Sequence, residues 1–140
     1  MNANDATLAG LTTAHTGSTV EDNAPNAPAD ASFDLVVEAV AGNAMGNSGA
    51  PYTLTISAID LTAVNQPWPS QTLRQAFDAP TGWTLSGAGP HYRCTQTFPI
   101  TVPGGPGGPL AGHTLQVVAA LISQGAQSVS IIQSDPFVLV

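Results

Sequence analysis

Tyr52-Thr-Leu-Thr-Ile-Ser-Ala-Ile-Asp-Leu61 alternates along most of its length. Tyr52, Leu54, Ile56 and Ala58 fall on one side of an extended chain, with Thr53, Thr55 and Ser57 on the other. Period-two alternation with β-branched residues marks a strand with one face on a core and one in water. Upstream, Phe33–Ala41 sets Phe33, Leu35, Val37 and Ala39 against Asp34, Val36, Glu38 and Val40. The turn-forming run Gly42–Gly49 joins the two and is too long for a two-residue hairpin.

Downstream, Pro67-Trp68-Pro69 marks an extended corner, because proline moves its predecessor out of helical space. Gln71–Asp78 fits a strand, although Leu73, Ala76 and Phe77 also match a helical face. Thr81-Gly82-Trp83-Thr84-Leu85 reads as a turn and a short strand. Tyr92–Phe98 continues past Pro99 through Ile100 and Val102, which suggests a sheet edge or bulge. In His113–Ser123, Leu115, Val117, Ala119 and Leu121 oppose Val118, Ala120 and Ile122. A strand apolar on both sides is either covered twice or has an outer face that meets a partner. Val129–Gln133 and Phe137–Val140 complete seven to nine strands, and no convincing amphipathic helix is present. The prediction is all-β: a single antiparallel β-sandwich over residues 32–140, an immunoglobulin-like or jelly-roll Greek key.

Tyr92-Arg93-Cys94 resembles the Tyr-x-Cys of immunoglobulin domains, in which the tyrosine forms a corner just before the sixth strand. The resemblance covers three residues and implies the sandwich shape and a corner at Tyr92. No earlier cysteine exists to pair with Cys94, and more chain follows than one last strand needs. A lone cysteine in an alternating stretch is read as a small buried hydrophobe.

Residues 1–31 hold few large apolar side chains beyond Leu8, Leu11 and Val20, and they include Pro25 and Pro28. Such a segment buries too little surface by itself to offset its ordering entropy. The expectation is an extended N-terminal arm, flexible or ordered against its own domain or a neighbour. Met1–Asp5 lacks the basic start and apolar run of a signal peptide, and no stretch reaches bilayer-crossing length. A cytoplasmic or particle-associated (virion) location is therefore favoured.

The chain has no lysine; Arg74 and Arg93 face nine acidic residues, for a net charge of −7. That balance disfavours nucleic acid and anionic membrane surfaces. Charged residues make up 8% of the chain, so Ser, Thr, Gln and Asn must build most of its surface. Neutral polar surfaces of this kind suit close-packed assemblies.

No pattern calls for a catalytic residue, a metal or a cofactor. His15, His91 and His113 lack ligand spacing and read as exposed turn residues. His91 and Cys94, three apart on a strand, point to opposite faces. Asp34 and Glu38 lie about 13 Å apart, too far for either glycosidase geometry. The run Pro103–Pro109, made only of proline and glycine, lacks the flanking helix and lysine of a phosphate cradle.

Two readings of function follow. The first is a non-catalytic structural or interaction protein, a repeating subunit or decoration protein of a virion, filament or surface particle. It would be a homo-oligomer or sit on a particle surface, held by protein–protein packing. The second is a carbohydrate-binding module in which Trp68, Trp83, Tyr92 and His91 provide a stacking platform. Burial in the core is the alternative use for the tryptophans.

Overall fold

The computed structural model describes residues 3–85, 91–123 and 129–140. Its strands are β1 (Ala6–Ala14), β2 (Ser32–Gly42), β3 (Pro51–Asp60), β4 (Gln71–Ala76) and β5 (Thr84–Leu85), followed by β6 (His91–Thr101), β7 (Thr114–Ser123), β8 (Val129–Gln133) and β9 (Phe137–Val138). They form two antiparallel sheets packed face to face. Sheet A runs β1-β2-β6-β5; sheet B runs β4-β3-β7-β8, with β9 also beside β7. The protein is a β-sandwich. In chain order the layout is the ABED and C′CFG arrangement of immunoglobulin-like domains, with β3 and β7 in the places of C and F.

β3 behaves as its alternation demands. Tyr52, Leu54, Ile56 and Ala58 are buried, and Thr53, Thr55 and Ser57 are not. β7 lies beside it in register, with Leu54 opposite Leu121, Ile56 opposite Ala119 and Ala58 opposite Val117. Phe33, Leu35 and Val37 face them from β2. Gln71–Asp78 begins as the strand β4, which pairs with β3.

The boundary expected at residue 32 differs from what is found. Ala6–Ala14 is not a separate arm but the edge strand of sheet A, paired with β2, and its Leu8 and Leu11 enter the core. The strand is ordered by its own domain. The Leu8 N–H donates to Ser130 Oγ on β8 at 2.9 Å, which stitches the two sheets together along that side. Asn26, fully buried, bonds the backbone N–H and C=O of Val140 through its amide. Residues 6–31 thus belong to the sandwich.

The corner implied by Tyr-x-Cys also falls elsewhere. Tyr92 and Cys94 lie on β6, in the E position of sheet A, whereas the strand in the F position is β7. What fixes Tyr92 is close packing: a Cβ on Gly46 would lie 2.4 Å from the Tyr92 side chain, so only glycine fits there.

Candidate functional site

The four residues proposed as a stacking platform do not form one surface. Trp83 is buried at 1% exposure, T-shaped on Tyr52 and tilted on Phe77. Trp68 packs at the other end of the sandwich, edge-on to Phe33 at 6.2 Å. Tyr92 pairs with Ala41, eight residues along β2 from Phe33 and so about 27 Å away. His91 and Tyr92 are half-buried and consecutive on β6, and therefore point to opposite sides.

Around Trp83 lies a polar network within the apolar core. The Trp83 Nε1–H donates to the Tyr52 hydroxyl at 3.2 Å, and that hydroxyl donates to Gln75 Oε1 at 2.7 Å. Gln96 Nε2 donates to the Thr81 carbonyl at 3.0 Å and more weakly to Gln75 Oε1 at 3.3 Å. Each of these groups finds a partner, as burial requires. Burial drives the Tyr52 phenol up to about 12, against the lowering effect of the Trp83 hydrogen bond.

Cys94 is buried beside this network, as the alternation predicts. Burial pushes its thiol upward, only partly offset by Gln96, and Gln96 Nε2 lies 3.3 Å from Sγ. A thiol-specific reagent should therefore modify the folded protein slowly and the urea-unfolded protein at once. Labelling at equal rates in the two states would place Cys94 at the surface.

Two of the histidines, expected as exposed turn residues, each sit beside a carboxylate. His15 Nε2 lies 2.8 Å from Asp22, an exposed contact of small energetic weight. His113 Nδ1 lies 2.7 Å from Asp60 Oδ2, and Asp60 is fully buried at the end of β3. Asp60 also accepts the Thr62 and Ala63 backbone N–H groups, at 2.9 and 3.1 Å. Sequence reasoning missed this pair because its members stand 53 residues apart. The local signal was an aspartate opening a turn. Among the described residues no three His, Cys, Asp or Glu side chains gather as metal ligands do.

The two outer faces of the sandwich differ sharply. On sheet A, β2 presents Asp34 and Glu38, and the chain folds back over part of that face. The Gly17 N–H donates to Asp34 Oδ2 at 2.8 Å, and Val36 between the two acids is only 5% exposed. On sheet B, the register aligns Thr53, Ile122 and Val129 in one row and Thr55, Ala120 and Ile131 in the next. Ser57, Val118 and Gln133 form a third row. Ile122 is 42% exposed and Ile131 66%. The only acid in the strands of sheet B is the buried Asp60. Of nine exposed large apolar residues among those described, seven lie on sheet B or in the loop between β3 and β4. Among the described residues, no strand of the chain lies over the outer side of β7.

The sequence matches no known protein family and no curated protein. Among solved structures, the chain is similar to part of a red sea bream transglutaminase, at 14% identity and a TM-score of 0.44 over 90% of this chain and 16% of that one. It is also similar to part of a Bacteroides uniformis β-glucuronidase 2, at 12% identity and a TM-score of 0.47 over 91% and 14%. The chain spans about a sixth of the length of either, and likeness at this level assigns it neither an activity nor a substrate.

Proposed function

We propose that this chain is a non-catalytic structural protein, a repeating or decoration subunit of a larger assembly such as a virion, filament or surface particle. One observation carries the reading: the outer face of sheet B sets exposed Ile122, Val129 and Ile131 together among Thr, Ser and Gln and carries no carboxylate in its strands, on a chain of net charge −7. A surface seen only by water gains nothing from Ile122, Val129 and Ile131 set side by side, whereas a contiguous exposed apolar patch suits contact with protein. On the outer face of sheet A the exposed strand acid is Glu38, while Asp34 is covered by the Gly17 segment, so the two faces differ in charge.

The test is the molar mass of the whole chain by light scattering across the micromolar range. Mass above 14.1 kDa that rises with concentration is the expected result. A mass fixed at one copy throughout, with no partner added, removes self-assembly from the proposal.

A further inference from the structure

We infer that the outer face of sheet B is where a second copy of this chain packs, face to face across a two-fold axis. The inference rests on the subunit reading and names the surface and the partner. Three features favour a second copy. The first is charge. Two molecules of net charge −7 repel, and sheet B offers an approach in which no exposed strand carboxylate meets another. The second is chemistry. Thr53, Thr55, Ser57, Gln116 and Gln133 flank the apolar rows, and hydroxyls and amides both donate and accept, so such a face can complement itself. A surface of one charge cannot. The third is extent. The rows at Thr53 and Thr55 span four strands, that at Ser57 three and that at Ile59 two, which at about 4.8 Å between strands gives about 400 Å² of plane per copy. A pair then buries about 800 Å², the size of a weak contact that forms and separates with concentration.

The edges of the sandwich are poorer candidates. The free side of β8 is occupied by β1, through Leu8 and Thr7 on Ser130. On the side opposite, the edges are β4, which carries Arg74, and the two-residue β5, beyond which β6 is uncovered and carries Pro99. A charge or a proline on an edge strand discourages strand addition. The strands of the face carry one exposed charge, Arg74, at the β4 border beside Thr53, and two twisted sheets stack readily.

The test uses the whole chain with Ile122→Glu and Ile131→Glu together, both side chains being exposed in the monomer. A matched control carries Thr95→Glu and Thr97→Glu on the outer face of sheet A. Circular dichroism and the urea midpoint establish that both variants are folded. The expected result is a parent of twice 14.1 kDa, a sheet A variant of the same mass, and a sheet B variant whose dimer is weakened about a hundredfold or more. Equal weakening of both variants would mean general charge repulsion and overturn the assignment of the face. A parent that grows past two copies would overturn the two-fold pairing and leave the subunit reading standing. A parent that stays monomeric overturns the pairing and leaves standing only a decoration subunit bound to a different protein.

Discussion

Trp83→Ala should cost about 4 kcal/mol of folding stability, read as a large drop in the urea midpoint. The side chain is 1% exposed and wedged between Tyr52 and Phe77, with ring centroids at 5.9 and 5.0 Å. Truncation removes the buried ring, leaves a cavity that the flanking rings only partly fill, and deprives the Tyr52 hydroxyl of its donor. Since a domain of this kind is stable by roughly 5–15 kcal/mol, the variant sits near the edge of folding. Trp83→Phe keeps most of the apolar contact and loses the N–H, so it should cost about 1–2 kcal/mol. Trp68→Ala should cost less than Trp83→Ala, because Trp68 is only partly buried and touches the core through Phe33. If Trp83→Ala were no worse than Trp68→Ala, the core placement of Trp83 would fail. If it abolished glycan binding while folding normally, the carbohydrate reading would return.

The reason β3 and β7 were legible and β1 was not lies in their side chains. Tyr52–Asp60 and Thr114–Ser123 carry bulky inward residues at strict spacing, and that pattern is the strand signal itself. β1 has only Leu8 and Leu11 as large inward residues, and between Leu8 and Gly10 its register with β2 shifts. An irregularity of this kind breaks a period of two, so alternation cannot be followed across it. The inward small residues Ala6 and Ala14 fill space left by other elements, which no local pattern announces. The Tyr-x-Cys resemblance misled for a related reason. A three-residue motif has meaning only at a given place in the sheet, and here it sits on β6 beside β2. The apolar outer side of β7 was visible in the sequence. That it joins Val129 and Ile131 into one face depends on the register with β8. The Asp60–His113 contact depends likewise on the register that sets the end of β3 beside the start of β7.

That contact should make the fold sensitive to acid in a way one substitution can isolate. Burial pushes the Asp60 carboxyl upward, but His113 together with the Ala63 and Thr62 N–H groups outweighs it and holds the carboxyl below its ordinary 3.8. A folded value below the unfolded one means that the unfolded chain takes up the proton more readily. The stabilisation is therefore present above the ordinary carboxylate value and is lost as pH falls through the folded value. Asp60→Ala leaves the Thr62 and Ala63 N–H groups and His113 without their acceptor. Because His113 is 27% exposed and can turn to water, the cost falls at the lower end for a broken buried pair, about 3 kcal/mol. The loss should loosen the turn after β3, where Val64 is held at φ 56° by its N–H on the Asp60 carbonyl. Asp60→Asn keeps an oxygen for the two backbone donors and fills the same volume, so it should cost less than alanine. It also removes the titrating group. Urea midpoints measured from about pH 5 down to about pH 2 should fall more steeply for the parent than for Asp60→Asn, the other carboxylates being common to both. Parallel acid profiles would mean that the proton on Asp60 does not govern the stability of this turn.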